Sequence, residues 1–146
     1  MNRLIIVLAV GLSLTAHSSE FTDRDLHQLL ESGRSGILFS WSPHMPLSMK
    51  ALAILQRLAH PLHLNIIPVL DPDADIKMAQ VVSIKHRLGS PSLRKIASSE
   101  LLELGLGIHF PAVLVFRNGK IRGGVIPGSK EPQIYRKLIL REMNSP

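Results

Sequence analysis

The chain has 146 residues, 45% hydrophobic and 19% charged, which fits one globular domain and excludes disordered, collagen-like and solenoid chains. It has no cysteine, so disulfides, thiolate metal sites, covalent c-type haem, thiol nucleophiles and thioester-linked acyl anchors are excluded. Seventeen Lys and Arg against eleven Asp and Glu leave a formal charge of +6. Much of that charge lies in the C-terminal half, at Arg94-Lys95, Arg117, Lys120, Arg122, Lys130, Arg136-Lys137 and Arg141. One Trp, one Tyr and four Phe offer little for base stacking, and there is no basic run or nucleic-acid motif. The basic balance therefore reads as a solvated surface, or as contact with acidic partners or anionic lipid headgroups, and not as nucleic-acid binding.

Asn2 and Arg3 form a short positive start, and Leu4 to Leu14 is apolar apart from the small residues Gly11 and Ser13. Ala16-His17-Ser18 places small residues where a signal peptidase reads. Residues 1–18 are expected to be a secretory signal peptide and 19–146 the domain. The apolar run has eleven residues, whereas a membrane-spanning helix needs about 20. Cleavage and retention as an anchor both stay open, but no transmembrane segment is expected in the mature chain. The expected compartment is periplasmic or secreted. Such compartments permit disulfides, yet this domain does without them.

Thr22-Asp23-Arg24-Asp25 predicts a helix start, with Leu26, Leu29 and Leu30 at helical spacing and Gly33 as the stop. Gly36 to Trp41 is a buried-type strand, and Ser42-Pro43-His44-Met45-Pro46 a turn. Leu47, Ala51, Ile54, Leu55 and Leu58 mark an amphipathic helix to about His60. Leu62 to Leu70 predicts a second strand, ended by Asp71-Pro72-Asp73. Ala74 to Leu88 predicts a helix burying Ile76, Ala79, Val81 and Ile84. Gly89-Ser90-Pro91-Ser92 breaks it, and Leu93 to Leu104 reads as helical, in one piece or two around Ser98-Ser99.

Pro111 to Phe116 predicts a third strand. Asn118-Gly119 is a strong hairpin signal, and Lys120 to Ile126 returns as a fourth strand in which Gly123-Gly124 permits a bulge. The last helix spans about Glu131 to Met143, with Ile134, Leu138 and Ile139 inward and Arg136, Lys137 and Arg141 outward. The first strand–helix–strand unit requires a parallel pair and the hairpin an antiparallel one. The expectation is an α/β fold: a mixed four-stranded sheet flanked by helices.

That order resembles the thioredoxin-like fold family, and three local features carry the resemblance. Phe39-Ser40-Trp41-Ser42-Pro43-His44-Met45 ends a strand and opens a helix where thioredoxin-like enzymes carry Cys-x-x-Cys, and where Dsb-type oxidases often carry Cys-Pro-His-Cys. Gly107 to Val113 looks like the segment holding the family's cis-proline, here Pro111. Phe116-Arg117-Asn118-Gly119-Lys120, followed by Gly128, matches its hairpin and the glycine before its last helix. The resemblance covers Phe21 to Met143.

Ser42-Pro43-His44-Met45 replaces the dithiol, and neither a hydroxyl nor a thioether forms a disulfide. Ile37-Leu38-Phe39 also lacks the buried acid that thioredoxins carry near the pair. The roughly 20 residues from Gly89 to Ile108 leave no room for the helical insertion of Dsb-type oxidases. Thiol–disulfide oxidoreductase activity is thus excluded on chemistry, and no enzyme is expected. Ser42 as a nucleophile lacks an acid nearby in sequence, and reads as a helix cap.

The resemblance leaves a protein-binding face at Trp41, Ser42, Pro43, His44, Met45, Phe110 and Pro111. In the family, the residue before the cis-proline offers backbone groups to an extended peptide. Core packing is the alternative for Trp41 and Phe110. The expected role is a redox-inactive adaptor, assembly factor or structural subunit that binds another secreted or envelope protein and needs no cofactor. The alternative is a copper-binding or metallochaperone protein using His44, Met45, Met49 and His109, since imidazole and thioether donors suit Cu(I). Under the adaptor reading, Met45 and Met49 pack beneath the loop and His44 is surface. His27, His60, His63 and His86 show no ligand spacing.

Overall fold

The computed structural model describes residues 19–146, and the expected export segment lies outside them. In chain order it contains β1 (Glu20–Phe21), α1 (Asp23–Glu31), β2 (Gly36–Trp41), α2 (Leu47–Ala59) and β3 (Asn65–Leu70). Then come α3 (Ile76–Lys85), β4 (Lys95–Ile96), α4 (Ser99–Glu103), β5 (Ala112–Arg117), β6 (Lys120–Pro127) and α5 (Pro132–Asn144). Single 3-10 turns, His60–Leu62 and Ser90–Leu93, precede β3 and β4.

The strands form one sheet in the order β1-β4-β3-β2-β5-β6. β2 pairs parallel with β3 and antiparallel with β5. Every residue of β2 is buried, as an apolar run covered on both faces requires. Alternation divides its side chains between two cores. Ile37, Phe39 and Trp41 join Val113 and Val115 of β5 beneath α2, α3 and α5. Leu38 joins Leu114 and Phe116 on the other side, beneath Leu26 of α1 and Leu101 of α4.

The sheet has six strands, not four, because β1 and β4 add two residues each at one edge. β4 replaces part of the helix expected over Leu93 to Leu104, and α4 keeps only Ser99–Glu103. Two residues have no legible period. They become strand because Leu70, Lys95 and Ala97 donate N–H groups to Arg94, Ser19 and Phe21 carbonyls respectively.

Asn118 and Gly119 both adopt positive φ (48° and 74°), as a tight Asn-Gly hairpin demands. A Cβ on Gly119 would lie 2.3 Å from the Leu30 carbonyl oxygen, so the turn also fits closely over the end of α1. The pairing of β5 with β6 shifts register between Val113 and Val115, opposite the expected Gly123-Gly124 bulge.

Acids tie the second core together. Asp25 Oδ2 accepts from the Thr22 N–H and hydroxyl, at 2.8 and 2.7 Å, and Asp25 Oδ1 pairs with Arg94 at 2.8 Å. These bonds hold the Asp25 carboxyl down at about 2. Asp23 accepts from the Ser98 and Ser99 hydroxyls and the Glu100 N–H, so the first turn of α1 anchors the start of α4.

Three helices depart from the expected inward faces. In α3, Val81 and Ile84 are 66% and 78% exposed, and the inward residues are Ala79, Val82 and Ser83. Small Ala79 and Ser83 let α3 lie close, and the Ser83 hydroxyl donates to the Leu88 carbonyl and bonds the Ser92 hydroxyl. In α5, Ile134 is half-exposed and Tyr135 takes the core position. In α2, Leu47 is exposed at the first turn, where no neighbouring element covers it.

Candidate functional site

β2 and β3 end side by side, with Trp41 aligned to Leu70. Their carboxyl ends open into a cleft of about 520 Å³ walled by four segments. The β2–α2 loop supplies Ser42, His44 and Met45, and Asp71 follows β3. The α4–β5 loop supplies Ile108, His109 and Phe110, opposite Pro127 and Gly128. Most of the exposed wall is apolar, and Met45 and Ile108 are 47% and 68% exposed.

Backbone bonds hold the walls. The Gly128 N–H donates to the Pro111 carbonyl at 2.8 Å, and the Asp71 N–H to the Trp41 carbonyl at 2.8 Å. The Tyr135 hydroxyl donates to the Gly128 carbonyl at 2.9 Å, and burial pushes that phenol up to about 12. The Phe110–Pro111 peptide bond is cis, the state implied by the resemblance.

The expected face is only partly brought together. Ser42, His44, Met45 and Phe110 line the cleft. Trp41 takes the core alternative: it is fully buried and its indole N–H donates to the Ser92 carbonyl at 2.9 Å. Pro111 is buried beneath the cleft rather than lining it. Pro43 lies on the far side of the loop, in a groove with Met49 between α2 and α3.

Ser42 does not cap α2. The helix begins at Leu47, with Pro46 in the cap position four residues beyond Ser42, and no side-chain bond caps its first turn. Pro43 and Pro46 extend the loop, and the Ser48 hydroxyl turns back to accept the Ser42 N–H at 3.3 Å. The separation leaves Ser42 buried at the cleft floor.

The metal candidates also divide. His44, Met45 and His109 line the cleft, while Met49 packs against the first core. Among the described residues, no three of His, Asp or Glu gather into a metal-holding group. Asp71 and Ile108 were not anticipated as wall residues. The Asp71-Pro72 break marks a strand end but not its neighbours, and Ile108 carries no signal beyond its nearness to Pro111.

A parallel β2–β3 pair, an antiparallel β5–β6 hairpin and a cis-proline immediately before β5 define a thioredoxin-like fold. No family model matches the chain, and no curated protein sequence matches it. Among solved structures it is similar to a thioredoxin-family thiol:disulfide interchange protein from Chlorobium tepidum, at 12% identity and TM-score 0.57, over 79% of this chain and 83% of that one. It is also similar to a thiol-disulfide isomerase from Corynebacterium glutamicum, at 13% and 0.54, over 78% and 83%. A third is a secreted Mycobacterium tuberculosis disulfide oxidoreductase described as homologous to E. coli DsbE, at 13% and 0.53, over 75% and 82%. This chain has their fold and no cysteine.

Proposed function

We propose that this is an exported, redox-inactive thioredoxin-fold protein that binds another secreted or envelope protein, as an adaptor, assembly factor or structural subunit. The observation that carries the reading is the cleft at the ends of β2 and β3. It stays open and largely apolar at Met45, Ile108 and Phe110, while the residues around it include no thiol. Exposed Met and Ile side chains in an open cleft suit a peptide segment of a partner. The signal-type N-terminus, and the secreted character stated for one structural neighbour, support an envelope location.

A second reading rests on His44, Met45 and His109 sharing that cleft. Two imidazoles and a thioether form a donor set suited to Cu(I).

Affinity purification from the native envelope, with mass spectrometry of partners and metal analysis of the same sample, tests both. The adaptor reading expects a stoichiometric protein partner whose Kd rises about tenfold or more with Met45→Ser plus Ile108→Ser, the range of anchor residues at an interface. A copper-loaded monomer that loses its metal in His44→Ala and His109→Ala would replace it with the second reading.

A further inference from the structure

The two helical layers carry opposite charge. On one face of the sheet, α2 has Lys50 and Arg57 and no acid, and α3 has Lys77 and Lys85 and no acid. α5 has Arg136, Lys137 and Arg141 against Glu142, which is buried and bonded by Arg141. On the other face, α1 and α4 carry Asp23, Asp25, Glu31, Glu100 and Glu103 against Arg24, with Asp25 paired to Arg94.

α3 adds an apolar element to the basic layer. At 3.6 residues per turn, Lys77, Val81, Ile84, Lys85 and Met78 share one arc of the helix. Val81 and Ile84 project into solvent, Met78 is 44% exposed, and the two lysines flank them. Lys50, Lys77, Lys85 and Arg87 make no ion pair among the described residues. The nearest acids, Asp73 and Asp75, precede the helix, and Asp75 is occupied as its cap, accepting from the Met78 N–H at 2.8 Å.

We propose that the α2–α3–α5 layer faces a bilayer rich in anionic phospholipid, with Met78, Val81 and Ile84 entering its interface. Lysines that flank an apolar stripe lay their stems on hydrocarbon and their ammonium groups among headgroup phosphates. Diffuse positive charge along exposed helices matches a fluid anionic surface, which conforms to it. A protein partner would need a rigid concave complement. The acidic α1–α4 layer then points away from the membrane, and the β2–β3 cleft, to which α3 contributes no residue, stays open at the side.

Flotation of the full chain with phosphatidylglycerol–phosphatidylethanolamine vesicles, against pure phosphatidylcholine vesicles, tests this. Every variant keeps residues 1–18, so any contribution of the apolar run Leu4 to Leu14 is common to all. The expected result is preference for the anionic vesicles that falls as salt rises, because screening weakens surface attraction. Val81→Ser plus Ile84→Ser, and separately Lys77→Ser plus Lys85→Ser, are each expected to weaken binding about tenfold. Leu102→Ser plus Leu104→Ser, exposed positions at α4, are expected to leave it unchanged. Equal binding to both vesicle types overturns the proposal. So does anionic binding that survives both α3 variants, or absence of binding to the anionic vesicles, whether or not the α3 face captures an acidic protein.

Discussion

The indole N–H of Trp41 donates to the Ser92 carbonyl across 2.9 Å, tying the end of β2 to the 3-10 turn before β4. The bond fixes Trp41 in the interior, directly behind the loop that bears Ser42 and His44. The ring thus supports the cleft from within and is not offered to a partner.

Trp41→Phe is expected to remove the bond and leave a cavity, costing about 2–3 kcal/mol. Urea unfolding measures the loss as a lower midpoint at unchanged slope. Partner affinity, compared at a temperature where both proteins are folded, is expected to change far less than with Met45→Ser plus Ile108→Ser, because the ring itself does not line the cleft.

Tyr135 reaches the same cleft from α5 through the Gly128 carbonyl. Tyr135→Phe is expected to cost about 1 kcal/mol, the usual net worth of such a bond. Alkali gives a second readout. The phenol is raised from 10.0 to about 12, so its stabilisation is present below pH 10 and lost as pH rises toward 12. The wild type is expected to lose its advantage over the Phe variant across that window, measured by thermal melts.

Asp25 governs the acid side. Its folded value of about 2 lies below the ordinary 3.8, so the charged form stabilises the fold above pH 4, and that contribution fades as pH falls toward 2. Asp25→Asn is expected to melt lower than wild type at pH 6. The gap between the two melts is expected to narrow steadily from pH 4 to pH 2.

Gly119→Ala places a methyl against the Leu30 carbonyl in a left-handed turn. A cost of at least about 2 kcal/mol is expected from clash and backbone strain together. Guanidinium titration measures it, and Gly124→Ala, where a Cβ meets nothing within 4 Å, serves as the milder comparison.

The long elements were legible because their signals are local. The apolar run of β2, the Asn118-Gly119 turn and the cap-like Thr22 to Asp25 each depend on neighbours in sequence. β1 and β4 were not legible, since each is made by hydrogen bonds to a strand far along the chain. The inward face of α3 was misread because hydrophobicity favours Val81 and Ile84, whereas close packing selects Ala79 and Ser83. The site followed the same division: Ser42, His44 and Met45 are marked by the strand-to-helix break, but Asp71 and Ile108 enter the cleft only through strand order.

The sequence by itself determined the absence of thiol chemistry, because a missing atom needs no geometry to be missing. It also determined the order of the principal strands and helices, through apolar period and turn chemistry. The tertiary structure alone decided which way side chains face at the site. It buried Trp41 against Ser92, left Ser42 at the cleft floor instead of capping α2, and brought His44, Asp71 and His109 to one cleft. The reason is that solvent exposure depends on what packs opposite a residue, and that partner lies tens of residues away in the chain.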